Sequence, residues 1–167
     1  MQGNTNPPIN TGQTQPTILV EENEGNLLYG IIAGIVAAVI GAIIWALVTV
    51  WTEYQIGWMA VGVGFLVGFS IRIFGKGTSI KFGIIGAVLA LLGCLAGNLL
   101  ATCIWASKEY NVSIFDILSV LNFSIIVEIF KETFSPIDLL FYALAIFEGY
   151  KFSFKTTKKP IDSKIAQ

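Results

Sequence analysis

Histidine is absent from this 167-residue chain. That gap excludes histidine-ligated haem, histidine-containing zinc sites and Ser–His or Cys–His nucleophilic catalysis, because each needs an imidazole as ligand or base. Charge is scarce too. Asp, Glu, Lys and Arg make up 13% of the residues, about half the ~25% of an average soluble domain. The net charge is −1, so the chain as a whole offers no basic surface for nucleic acid. Cysteine is limited to Cys94 and Cys103. Nine positions apart, about two and a half helical turns, they cannot bridge within one straight helix and read as small apolar core residues. No pattern calls for a metal or a cofactor. The acids Asp116, Glu128 and Asp138 lack the partner spacing of acid–base work, so an enzyme is not expected.

What is present is apolar: hydrophobic residues form 54% of the chain. Residues 27–51, 56–74 and 82–105 are three long apolar stretches. A stretch of ~20 apolar residues spans the ~30 Å hydrocarbon layer of a bilayer at ~1.5 Å rise per residue. A fourth, shorter stretch at 136–154 reaches that length only if Lys151 snorkels at its end. The expected fold is therefore an all-α integral membrane protein with four transmembrane helices. Before it, residues 1–26 form a polar tail with no Lys or Arg, closing on Glu21, Glu22 and Glu24. Such a composition buries no core and is expected to be disordered. It lacks the positive start and short apolar run of a cleaved signal, so the first span is expected to serve as an uncleaved insertion signal. Residues 155–167 form a basic tail.

Between the third and fourth spans the pattern changes. Ser113-Ile-Phe-Asp116 and Ser135-Pro-Ile-Asp138 both have the form of a helix start, a serine cap with an acid three residues later. Pro136 falls at the first helical position, where its missing N–H costs nothing. Asn122 marks a break, and over 124–134 Ser124, Glu128, Lys131 and Glu132 share one narrow face. Residues 113–134 are thus expected to form two short helices lying in the membrane interface, the alternative being one strained span through Asp116, Asn122 and Glu128, which would bury three polar groups.

Small residues recur at helical spacing within the spans. Gly30, Gly34, Ala37 and Gly41 share a seam in the first; Gly64 and Gly68 in the second; Gly86, Ala90, Gly93 and Gly97 in the third. Small side chains let backbones approach, and such packing drives association where hydrocarbon surrounds the helices. The seams serve packing within the monomer or, alternatively, a homo-oligomer face. On the third span, Leu91 is expected to face lipid. Three polar residues lie closest to the apolar interior: Arg72, Asn98 and Glu148. Each is a candidate for function, with snorkelling, an interhelical hydrogen bond and an Arg72–Glu148 ion pair as the structural uses.

Eight of the ten basic residues fall on one side of a four-crossing chain: Arg72, Lys76 and Lys81 in a loop, and Lys151, Lys155, Lys158, Lys159 and Lys164 at the C-terminal end. The positive-inside rule places that side, and with it both termini, in the cytoplasm. Lys151, Lys155, Lys158 and Lys159 form a juxtamembrane cluster suited to anionic lipid headgroups at the cytoplasmic face.

The stretch from Trp45 through Thr52-Glu-Tyr-Gln-Ile-Gly-Trp-Met-Ala-Val-Gly-Val-Gly-Phe-Leu-Val-Gly68 resembles a segment of small uncharacterised bacterial multi-span membrane proteins. The Pro136-Ile-Asp-Leu-Leu-Phe-Tyr-Ala-Leu-Ala stretch is similar to their last span. Some of those proteins carry a cysteine zinc ribbon before the first span, which has no counterpart here. The resemblance implies a bacterial inner-membrane setting and no activity. The expectation for function is a non-catalytic membrane subunit or scaffold that packs with itself or with a larger inner-membrane complex. The alternative is a small transporter or channel using Asn98, Arg72 and Glu148.

Overall fold

The computed structural model of the chain describes residues 25–54 and 56–155, and every regular element among them is a helix. In chain order these are α1 (Leu27–Thr52), α2 (Met59–Gly75), α3 (Ile80–Glu109), α4 (Ile114–Val120), α5 (Phe123–Thr133) and α6 (Pro136–Phe152). Most starts are set by a side-chain oxygen that takes an orphan amide of the first turn. Asn26 Oδ1 accepts from the Tyr29 amide at 3.2 Å, Ser79 Oγ from Lys81 at 3.4 Å, Ser113 Oγ from Phe115 at 3.3 Å and Asn122 Oδ1 from Ile125 at 2.9 Å. At α6 the Asp138 carboxylate reaches back to accept the Ser135 amide at 2.9 Å.

The expectation of four transmembrane helices does not hold. Two helices, α1 with 26 residues and α3 with 30, are long and apolar enough to cross a membrane. They rise about 39 and 45 Å. α2 and α6 have 17 residues each, a rise of about 26 Å, short of the ~30 Å hydrocarbon layer. The physical causes differ. Ile56, Gly57 and Trp58, apolar enough to extend a span on paper, form a tight turn in which Met59 and Ala60 donate to the carbonyls three residues back. α6 starts abruptly at its proline and carries Asp138, Glu148 and Lys151 within its 17 residues.

Close approaches between helices define the arrangement. From Gly30 to Gly97, contacts between α1 and α3 advance together: Gly30 meets Phe82, Gly34 meets Leu89, Ala38 meets Gly93, and Ala42 and Trp45 meet Gly97. The two long helices therefore run parallel. α2 returns between them, with Gly75, Ile71 and Val63 meeting Gly30, Gly34 and Gly41 in turn. α6 runs parallel to α2 and antiparallel to α3, with Ala145 and Gly149 seated against Gly64, Gly68 and Gly86. α2 and α3 touch across the middle, and α1 and α6 lie on opposite sides of them without contact. The buried core joins Ala38, Trp45, Ala60, Val63, Val67, Ile71, Phe82, Ala90, Cys94, Tyr142 and Ala145. Leu91, expected to face lipid, packs against this core, and Leu92 takes the outward position. α4 and α5 contact the bundle only through α3.

The α2–α3 loop, the start of α1 and the end of α6 meet at one end of the bundle. Asn26 donates its amide to the Gly75 carbonyl at 2.8 Å, and Lys155 donates to the Gly77 carbonyl at 3.2 Å. Gly77 is a glycine because any Cβ there would collide with the Phe82 ring, which fills the space under the loop.

Candidate functional site

The glycines named from the sequence all sit at contacts within the chain. A Cβ at Gly34 would lie 2.7 Å from Leu89 Cδ1 and 2.8 Å from Ile71 Cγ1; one at Gly41, 3.2 Å from Val63; one at Gly93, 3.0 Å from Val63 and 3.3 Å from Ala38 Cβ. At Gly97 it would lie 3.0 Å from Trp45 Cβ and Cγ, and at Gly30 3.1 Å from the Phe82 ring. The contacts with α6 involve its backbone. A Cβ at Gly64 would fall 2.6 Å from the Ala145 carbonyl oxygen, and one at Gly68 3.1 Å from the Glu148 and Gly149 carbonyls. At Gly86 it would overlap Ser153 Oγ and the Gly149 carbonyl. Ser153 is itself fully buried, its hydroxyl donating to the Gly149 carbonyl. Only small residues permit this depth of contact, and each such contact replaces exposed helix surface with dense packing.

Polar groups inside the bundle are few and specific. Asn98 is buried and donates its Nδ2 to the Tyr142 hydroxyl at 2.9 Å, joining α3 to α6. In hydrocarbon surroundings such a bond removes two otherwise costly polar groups at once. Cys94 Sγ lies 3.9 Å from the Ala60 carbonyl, and Thr102 bonds back to the Asn98 carbonyl at 3.1 Å. Trp45 Nε1 and Thr49 Oγ1, one turn apart on α1, are buried without a hydrogen-bond partner. The signal for Tyr142 as the partner of Asn98 lies in no local pattern, since 44 positions separate them.

The other two polar candidates lie elsewhere. Arg72 and Glu148 are half-buried near the loop end of the bundle and form no ion pair with each other. Glu148 lies two turns or so along α6 from Tyr142, so Asn98, Arg72 and Glu148 are not brought to one locus. Lys151 is exposed, its Nζ 5.2 Å from the Phe147 ring centroid and 6.0 Å from that of Phe152, and Lys155 is exposed beside the loop. Lys158, Lys159 and Lys164, like the expected disordered tail before Gly25, lie outside the described residues.

The two ends of the bundle differ in chemistry. Among the described residues, five basic side chains, Arg72, Lys76, Lys81, Lys151 and Lys155, stand at the loop end against one acid, Glu148. At the far end, Trp51, Tyr54, Trp58 and Tyr110 are strongly exposed and Trp105 is partly so. Amphipathic rings of this kind favour the headgroup level of a membrane. Along α1, exposed Tyr29 and Trp51 are about 33 Å apart by helical rise, and the surface between them shows Ile32, Val36, Val39, Ile40, Ile43 and Leu47. That spacing matches a hydrocarbon layer of ~30 Å. No protein family, curated protein or solved structure matches the chain.

Proposed function

We propose that this protein is a non-catalytic integral membrane subunit or scaffold of a bacterial inner membrane. The observation that carries the reading is the backbone-level contact of α6 with α2 and α3 at Gly64, Gly68 and Gly86. Packing of that density fills the interior and leaves the outer faces apolar, which suits a rigid element that other components pack against. The concentration of lysine and arginine at the loop end supports an orientation with that end, and both termini with it, on the cytoplasmic side, against anionic lipid. The far end, with the exposed Phe115, Val120 and Phe123 of the α4–α5 segment, then lies at the opposite interface. Partners are a larger membrane complex or a second copy.

Purification in a mild detergent from a native membrane, followed by identification of what accompanies the chain, tests this. Recovery in the membrane fraction together with a stoichiometric protein partner, or as a defined oligomer, is the expected result. An isolated monomer, or solute flux in liposomes that is lost on Asn98→Leu, would overturn it in favour of a transporter.

A further inference from the structure

The chain enters α1 across the α2–α3 loop. Gly25, the first described residue, has φ 55°, and a Cβ on it would overlap the Gly75 carbonyl oxygen and the Gly77 backbone. With the Asn26 amide also bonded to the Gly75 carbonyl at 2.8 Å, the entry point is fixed beside Lys76. Lys76 ends α2 with φ 54°, a left-handed conformation usually given to glycine, and its side chain is exposed. A lysine there bears a backbone cost that glycine would not, so the charged side chain is what the position gains. Lys81 stands in the first turn of α3, where the helix amides already make the field positive. Lys155 is brought in by the bond of its amide to the Gly77 carbonyl at 3.2 Å. All three lysines are exposed, and none has an ion-pair partner among the described residues.

The charge that adjoins this loop in the sequence has the opposite sign. Residues 1–24 contain no lysine or arginine, and their only charged side chains are Glu21, Glu22 and Glu24. Glu24 is bonded to Gly25, and from Gly25 back to Glu21 a chain spans at most ~14 Å when fully extended. So short a tether confines the three carboxylates to the neighbourhood of the loop, at an effective concentration of the order of millimolar. Because Gly25 and Asn26 are seated on the loop, this holds whichever way the protein lies in a membrane. We propose that Glu21, Glu22 and Glu24 are an intramolecular ligand of the basic loop, pairing with Lys76, Lys81 and Lys155 and competing there with anionic lipid headgroups. The pairing follows from charge and tether; its effect on lipid rests on the membrane reading above. The segment before α1 then sets how strongly the loop end holds anionic lipid.

The test uses the full chain purified in mild detergent. Carbodiimide joins a carboxylate to an amine only where the two touch, so the wild type is treated with it at low salt and its peptides are mapped by mass spectrometry. The expected product links Glu21, Glu22 or Glu24 to Lys76, Lys81 or Lys155 within one chain. Its yield is expected to fall about fivefold or more in 1 M salt, where the Debye length is ~3 Å. Native mass spectrometry with phosphatidylglycerol then reads the competition. Glu21→Gln/Glu22→Gln/Glu24→Gln is expected to retain about fivefold more of this lipid than the wild type, one basic residue's share of surface attraction. Glu109→Gln/Glu128→Gln/Glu132→Gln makes the same change of charge on exposed side chains at the far end and is expected to match the wild type. No product, products only between chains, or products confined to other amines such as Lys158, Lys159 and Lys164 would overturn the pairing. Equal retention by the two triple variants would overturn the competition. Failure of the membrane reading shows separately: the chain would then wash off membranes in alkaline carbonate, with the coupling products unaffected.

Discussion

Gly149→Ala and Gly62→Ala make the same chemical change in two helices and are expected to move stability in opposite directions. In a helix interior, alanine is favoured over glycine by ~1 kcal/mol, because the glycine backbone has more freedom to lose. At Gly62 nothing lies within 4 Å of the added Cβ, so Gly62→Ala is expected to stabilise by most of that amount. At Gly149 the Cβ would lie 2.5 Å from the Gly86 carbonyl oxygen, 2.7 Å from Ala90 Cβ and 3.0 Å from the Gly86 carbonyl carbon. Two of those three neighbours are backbone, so relief requires α6 to separate from α3 rather than a side chain to rotate. Overpacking a tight core costs ~1–3 kcal/mol, and a backbone neighbour argues for the upper end. Subtracting the propensity gain leaves a net loss of ~2 kcal/mol, a difference of ~3 kcal/mol between the two variants. Reversible unfolding of both variants in the same mixed micelles measures this directly. Gly149→Ala as stable as the wild type, or Gly62→Ala as damaging as Gly149→Ala, would refute the assignment of Gly149 to a backbone contact and with it the packing argument for function.

Three further outcomes follow from the interior. Thr49→Val removes a buried hydroxyl that has no hydrogen-bond partner while keeping the shape of the side chain, so it is expected to hold stability or raise it by ~1 kcal/mol; a loss greater than ~1 kcal/mol in unfolding assays would mean the hydroxyl is bonded in the folded protein. Tyr142→Phe and Asn98→Leu each break the 2.9 Å bond between α3 and α6 and are expected to cost ~1–3 kcal/mol singly, with the double variant short of the sum by at least ~0.5 kcal/mol; strict additivity would refute the pairing. For orientation, Thr78→Cys is expected to resist an impermeant maleimide in intact cells and Asn111→Cys to react, and the reverse pattern would invert the protein. The native Cys94 and Cys103 are 0% and 1% exposed, so they add little background to that labelling.

The parts of this fold that were legible in the sequence are those decided locally. Ser113, Asn122 and Ser135 open α4, α5 and α6, because a capping oxygen acts on an amide two or three residues away and needs no tertiary information. The glycine seams were visible because small residues at helical spacing mark a close-packed face whichever helix covers it. Which helix covers it was not visible. Gly34 touches both α2 and α3, Gly64 and Gly68 touch α6 rather than α1, and Leu91 turns inward where Leu92 faces out. Span length failed for a related reason. Hydropathy counts Ile56, Gly57 and Trp58 as apolar residues, but a tight turn consumes them, and their contribution to helical rise is lost. For the candidate polar residues the sequence did not show their relation: Asn98 meets Tyr142, while Arg72 and Glu148 remain apart.

α6 shows why composition and packing give different answers for the same helix. With Asp138, Glu148 and Lys151 in 17 residues, it is the least suited of the bundle's four helices to sit in hydrocarbon on its own account. Two of those charges are placed where solvent or a partner is near: Asp138 caps the first turn, and Lys151 is exposed beside two aromatic rings at the last. Between them, Tyr142, Ala145, Gly149 and Ser153 form a stripe that fills the notch between α2 and α3. The notch exists only because Gly64, Gly68, Gly83 and Gly86 leave it open. The helix is therefore held by a complementary surface prepared by the two helices before it, through dense contacts and one buried hydrogen bond, rather than by its own hydropathy. It follows that a side chain added to the notch at Gly86 would release α6 while leaving α1, α2 and α3 their mutual contacts, which is the behaviour expected of a helix that docks last.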